Sequence, residues 1–212
     1  MAKRSFFYQG AEVYELGLRL IHWNNLSKRY EYISGKIGQN KTILEPACGP
    51  ALLPNFLDKS NNYQGFDINE KFIGHAQKKG INVCIGNALD ISSYQQSDVV
   101  VLCDALHHIG LGNEKKVLEN CLNSAKEMVI ICEPFKDYYL KLLPSWFPKG
   151  QTILRKWYDY IEKDGNNQVR LENVRTRKEL EESMLEGFGV IPKGVKRNIK
   201  NIGEDLIITY YL

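Results

Sequence analysis

Apolar residues run unbroken through Val99-Val-Val-Leu-Cys103 and again through Met128-Val-Ile-Ile-Cys132. A strand with one wet face alternates apolar and polar positions. Unbroken runs of this length belong to strands buried on both faces. Reading the rest of the chain with the same rule predicts strands at Thr42–Leu44, Tyr63–Asp67, Asn82–Ile85, Asp98–Cys103 and Met128–Cys132. Between them, helical spacing predicts helices over Ala51–Asp58, Glu70–Lys79 and Asn113–Ser124. Strands that alternate with helices imply a parallel sheet covered on both sides. Right-handed crossovers then bring every strand C-terminus to one edge. Glu45, Asp67, Asn87, Asp104 and Glu133 fall on that edge.

The flanks break this rhythm. Apolar positions recur at helical spacing over Ala11–Lys36, with Asn24-Asn25-Leu26-Ser27 predicted to divide the stretch into two helices and Ser27 as a cap. Residues 135–176 are rich in aromatics (Tyr138, Tyr139, Trp146, Phe147, Trp157, Tyr158, Tyr160) interrupted by Pro144, Pro148 and Gly150. They predict a helical insert over the binding edge. Thr176 with Glu179 three residues on is a capping-box spacing for a helix to Leu185. Gly187–Leu212 predicts two strands around Asn201-Ile-Gly-Glu-Asp205, the last strongly β in composition. The resulting division is an N-terminal helical cap (1–40), a core (41–134), a cap insert (135–176) and a C-terminal helix with strands (177–212), all in one domain.

Composition narrows the classes. A chain of 212 residues suffices for one α/β domain with a full core. A formal net charge of +3 gives no basis for a nucleic-acid partner, and Lys193, Lys196, Arg197 and Lys200 read as a solvated turn or edge. The five cysteines form no C-x-x-C pair and sit mostly in apolar runs, the pattern of buried thiols in a reducing compartment. No apolar run is long enough to span a membrane, and the four histidines form no ligand pattern. The expectation is a cytoplasmic monomer or homodimer without a metal.

The candidate chemistry lies on the predicted edge. Thr42-Ile-Leu-Glu-Pro-Ala-Cys-Gly-Pro-Ala51 is a strand ending on an acid, then a small-residue turn in which Gly49 lets the backbone approach a ligand. Asp67, ending Gln64-Gly-Phe-Asp, stands where an acid can accept both hydroxyls of a ribose. It can equally cap the helix that follows. Asn87 and the backbone N–H of Ala88 are placed to read an adenine edge, or to make an Asx turn. Asp104 can face the other end of such a ligand, or cap a helix. His107 and His108 are adjacent and point different ways. His108 and Glu133 are the candidate bases, with Tyr8 and Tyr14 behind them. The aromatic insert, Trp157 included, either packs as a cap core or encloses an apolar substrate.

Taken together these segments resemble the class I S-adenosylmethionine-dependent methyltransferases, motif by motif over residues 40–134. Glu45-Pro-Ala-Cys-Gly-Pro-Ala51 resembles the family's first motif, with Ala47 and Ala51 where glycine is commoner. Gly86-Asn-Ala-Leu-Asp90 resembles its adenine-contact segment, and Asp98–Ile109 the fourth-strand motif of its small-molecule members. The resemblance implies a Rossmann-like seven-stranded, mostly parallel sheet with an antiparallel last strand. It implies S-adenosylmethionine as cofactor and S-adenosylhomocysteine as product, with contacts from Glu45, Ala47, Gly49, Asp67, Ile68, Asn87, Ala88 and Asp104. The acceptor would be a small apolar or aromatic molecule methylated on O, N or C, met by Tyr8, Tyr14, His108 and Trp157. Neither the Asn-Pro-Pro-Tyr motif of DNA base methylation nor the paired-glutamate loop of arginine methylation is present. A non-catalytic module on the same fold, an aminopropyl transferase and an NAD-dependent oxidoreductase are the competing classes. The last would need a G-x-G-x-x-G turn where only Gly49 stands.

Overall fold

The computed structural model describes residues 24–109, 112–135 and 173–212. The first predicted N-terminal helix, Tyr8, Tyr14 and the aromatic insert with Trp157 lie outside the described residues.

Seven strands form one sheet in the order β3-β2-β1-β4-β5-β7-β6. Strands β1 (Thr42–Pro46), β2 (Asn62–Asp67), β3 (Val83–Ile85), β4 (Ser97–Cys103) and β5 (Ala125–Pro134) are parallel. Strands β6 (Lys196–Ile202) and β7 (Asp205–Tyr211) form a hairpin, and β7 inserts antiparallel beside β5, from Met128 opposite Tyr211 to Pro134 opposite Asp205. The expected architecture is therefore present, antiparallel last strand included.

The unbroken apolar runs have the predicted cause. Val99, Val101, Ile130 and Cys132 face one core, with Leu26, Tyr30, Ile33 and Ile37 of helix α1 (Asn24–Ile37) and Ile73 and Ala76 of α2 (Glu70–Lys78). Val100, Leu102, Val129 and Ile131 face the other, with Val117, Leu118 and Cys121 of α3 (Asn113–Ser124) and Leu180 and Met184 of α4 (Arg177–Leu185). Alternate residues of each strand thus serve opposite apolar layers. The capping box of α4 is formed, with Thr176 accepting from the Glu179 amide and Glu179 accepting from the Thr176 amide. The basic segment lies along β6, the edge strand, with Lys196 and Lys200 exposed. Charged edges of this kind discourage pairing with another chain.

Four local expectations are corrected. No helix occupies 51–58; only a 3-10 turn, Leu53–Asn55, follows β1. Ala51 is left-handed there, the Asn55 side chain donates to the Leu52 carbonyl, and Asp58 accepts from the Ser60 amide and hydroxyl. Side chain–backbone bonds have replaced the helical ladder. Ser27 is not a cap but lies inside α1, where Leu26 is buried and Asn25 donates to Glu204 at 2.9 Å. Strand β5 extends well beyond Met128–Cys132 because β7 pairs with it as far as Pro134. Cys84, unlike the other cysteines, is exposed, on the edge strand β3.

Candidate functional site

Strand β1 neighbours β2 on one side and β4 on the other, so the chain reverses its direction of travel across the sheet between them. A crevice opens at the carboxyl ends of strands at such a point. Here it is a cavity of about 770 Å³, lined by Glu45 of β1 and Ala47 just after it, by Asp67 of β2, and by Cys103 of β4 and Asp104 just after it.

The turn after β1 forms its floor. Ala47, Gly49 and Ala51 have φ of 53°, 53° and 56°, so every second residue is left-handed. This wave carries the Gly49 amide onto Oδ2 of Asp67 at 2.8 Å, while the Cys48 amide bonds the Phe66 carbonyl at 3.0 Å. A Cβ on Gly49 would meet no atom within 4 Å, so the cavity reaches the backbone itself. A Cβ on Gly65 would lie 2.5 Å from the Tyr63 hydroxyl, and one on Gly86 would lie 2.8 Å from the Phe66 ring. Those glycines are required by packing beneath the site.

Three of the carboxylates that line the cavity, Glu45, Asp67 and Asp104, are in different states. Asp67 accepts from Gly49 on one oxygen and from the Asn69 amide on the other at 2.7 Å. Burial pushes it above its ordinary value, against those two N–H groups. Glu45 is 2% exposed and accepts a 2.5 Å bond from the Tyr63 hydroxyl. Burial raises its carboxyl to about 8, against that hydrogen bond. Asp104 is left-handed (φ 51°) and held by Arg29, whose Nη2 lies 2.5 Å from Oδ2 and Nη1 3.1 Å from Oδ1. Arg29 is wholly buried. Burial works against its charge, but Asp104 and then Asp205 outweigh it and keep it protonated.

On the β3 side, Asn87 makes the Asx turn, its Oδ1 accepting from the Leu89 amide at 3.0 Å. The Ala88 carbonyl accepts from the Tyr94 hydroxyl and from the Asn120 side chain at 2.9 and 3.0 Å. Ile68 is 73% exposed at the cavity wall, an apolar surface held out of the core. His108 lines the cavity, whereas His107 is buried with Nδ1 2.7 Å from Glu133.

Glu133 stands at the end of β5, as expected, but faces the turn after β4. It is 2% exposed and not among the cavity-lining residues; its oxygens accept from the amides of Ala105 and Leu106 at 2.8 Å each and face His107. A carboxylate so occupied sets the turn after β4 and does not face the cavity. The cavity thus brings together Glu45, Ala47, Gly49, Asp67, Ile68, Asn87, Ala88, Asp104 and His108. Residue spacing alone does not point to Arg29, Tyr30 or Tyr63 at this site. A signal existed for Arg29: it falls beside the apolar stripe Leu26-Tyr30-Ile33-Ile37, where a charge is out of place.

Over residues 27–163 the sequence matches the family model of the methionine biosynthesis protein MetW. The chain belongs to the MetW family. No curated protein matches it. Among solved structures, an O-methyltransferase family protein from Burkholderia thailandensis superposes with a TM-score of 0.64 at 12% identity, covering 95% of this chain. The match takes in 59% of that protein, so this MetW-family chain spans less than two thirds of its length. The methyltransferase domain of bacterial CtHen1-CN gives 0.63 at 14% identity, over 89% of this chain and 98% of that one. Magnesium protoporphyrin IX methyltransferase of Synechocystis PCC 6803, with bound SAH, gives 0.60 at 16%, over 92% and 85%. The MetW-family chain shares the class I methyltransferase fold with all three. Among the described residues no helix is long and apolar enough to cross a membrane, and no cluster of three His, Cys, Asp or Glu side chains could hold a metal.

Proposed function

We propose that the protein is an S-adenosylmethionine-dependent methyltransferase acting on a small, apolar or aromatic molecule. The observation that carries this reading is the Gly49–Asp67 bond at the switch point, which leaves a backbone floor and a ribose-height acid side by side. The residues present fit the cofactor. Lone pairs remaining on Asp67 would take the ribose hydroxyls, worth about 1.5–3 kcal/mol for each charge-assisted bond. Ile68, Asn87 and Ala88 would hold the adenine. Glu45, the backbone of Ala47 and Gly49, and Asp104 would hold the amino acid end. Solved relatives of the same fold were crystallised with bound SAH and SAM, which supports the same ligand here.

The cofactor, when bound, supplies an electrophilic methyl group. This chain's part is to bind, orient and keep water out. Aligning acceptor and methyl donor can supply about 7–11 kcal/mol. His108, at the cavity wall, would take a proton from an acceptor that carries one. Tyr8, Tyr14 and Trp157 are proposed to meet the acceptor.

A second reading is a non-catalytic module that keeps the fold. It is favoured by left-handed Ala47 and Ala51 and by the missing helix after β1. Calorimetry with S-adenosylmethionine, S-adenosylhomocysteine and NAD, followed by turnover with a panel of small acceptors, separates the two. Binding of the first two and formation of S-adenosylhomocysteine are expected. Tight binding with no turnover on any acceptor would favour the module, and binding of NAD alone would remove both.

A further inference from the structure

Tyr30 stands at the cavity wall with one hydrogen bond unused. It belongs to α1, is 5% exposed, and lines the cavity together with Glu45 and Cys103. Phe56 stacks on its ring, with 5.3 Å between centroids and 22° between planes, which fixes where the hydroxyl sits. The phenol oxygen accepts from Nη2 of Arg29 at 3.3 Å. Its own proton goes to no acceptor among the described residues. Burial holds the group neutral, well above its ordinary value, against the pull of Arg29, so that proton stays in place. A buried tyrosine ordinarily finds a partner for its O–H. Here the guanidinium polarises the phenol from behind and strengthens it as a donor. Arg29 itself is wholly buried and is not among the cavity-lining residues, so Tyr30 is the group that presents this polarisation to a ligand.

The turn after β1 supplies few donors of its own. The amides of Cys48 and Gly49 are taken by the Phe66 carbonyl and by Asp67, Pro50 has none, and the Ala51 amide bonds the Cys48 carbonyl. Among the described residues of the wall, Lys71 is the one lysine or arginine, and it lies in the first turn of α2, past Asp67, with the segment proposed to meet ribose and adenine. From this arrangement we infer that Tyr30 is a ligand-binding residue whose O–H donates to the carboxylate of the cofactor's amino acid end, beside Glu45. The inference rests on the methyltransferase reading and deepens it, since the carboxylate in question is that of S-adenosylmethionine. A bond from O–H to a carboxylate is charge-assisted and short. Helix α1 thereby takes part in recognising a zwitterion, for which the acids at the strand ends serve only the cationic half.

The test compares two ligands on two proteins by calorimetry. Decarboxylated S-adenosylmethionine keeps the sulfonium and the amine of S-adenosylmethionine and lacks only the carboxylate. Tyr30→Phe keeps the ring and its stack on Phe56, leaves Nη2 of Arg29 on Asp104, and removes only the hydroxyl. In this variant, affinity for S-adenosylmethionine should fall about tenfold, while that for the decarboxylated form should change less than about twofold. Equal loss for both ligands would assign the hydroxyl a merely structural role and overturn the inference. Undiminished affinity for S-adenosylmethionine would overturn it as well. Should Tyr30→Phe fail to fold, the wild-type protein decides: it must bind S-adenosylmethionine at least about tenfold more tightly than the decarboxylated form. Equal affinities would then be fatal, and a preference for the decarboxylated form would point instead to aminopropyl transfer. If wild-type protein binds neither ligand, the methyltransferase reading falls first and takes this inference with it, a result distinct from the others.

Discussion

Gly49 donates its backbone N–H to Oδ2 of Asp67 at 2.8 Å, tying the turn after β1 to the end of β2 alongside the bond from the Cys48 amide to the Phe66 carbonyl. The acid proposed to read a ribose is thus also the acceptor that shapes the cofactor floor. Asp67→Ala should weaken S-adenosylmethionine binding about ten- to a hundredfold, measured by calorimetry. Unchanged affinity would remove the ribose assignment.

Ala47 and Ala51 sit at φ of 53° and 56°, where a Cβ crowds the carbonyl. Left-handed backbone costs an L-residue about 1–2 kcal/mol, and glycine gives back part of that in unfolded-state entropy. Ala47→Gly and Ala51→Gly should each stabilise the protein by about 0.5–1 kcal/mol in urea unfolding. A loss of stability in both would show that the methyls are needed for packing.

Glu133 accepts the amides of Ala105 and Leu106 and faces buried His107. Glu133→Ala leaves those donors buried without an acceptor and should cost about 3 kcal/mol or more. His108→Gln, by contrast, should leave the melting temperature within a few degrees and lower kcat about a hundredfold on an acceptor that must lose a proton. Full activity of the His108 variant on such an acceptor would exclude it as the base.

Glu45 has its carboxyl raised to about 8 by burial. The folded state holds a proton there that the unfolded chain releases near its ordinary value of 4.5. The stabilisation is therefore complete below that value and is lost as pH rises through about 8. Wild-type thermal midpoints should fall between pH 5 and pH 8, and Glu45→Gln should flatten that slope. The lowered carboxyls of Asp58, Asp90 and Asp98 titrate below this window, and Asp67, which burial also raises, is common to both proteins, so the difference between the two slopes reports Glu45. An equal slope in both proteins would show that Glu45 is not the group concerned.

Much of this was legible in the residues. Buried strands announce themselves because Val99–Cys103 has no polar position to spare, and the capping box at Thr176 is a local signal that local structure obeys. The helix expected over 51–58 failed because Asn55 and Asp58 spend their side chains on nearby backbone, a competition that apolar spacing does not register. Glu133 was misread for another reason: its place at a strand end is readable, but the amides that claim it come from a turn some 27 residues earlier and meet it only in three dimensions. Arg29 shows the same limit, since its partners Asp104 and Asp205 lie 75 and 176 positions along the chain.

That last separation bears on how the molecule is made. During synthesis, β1 to β5 leave the ribosome long before β7 exists, so β5 waits as an open edge with Ile130 and Ile131 uncovered on either side. The guanidinium of Arg29 meanwhile has Asp104 within reach and lacks Asp205. At about 5–20 residues per second, several seconds pass before the hairpin arrives to seal the edge. The sheet is consequently completed in two instalments, and Arg29 meets its second acid only in the later one.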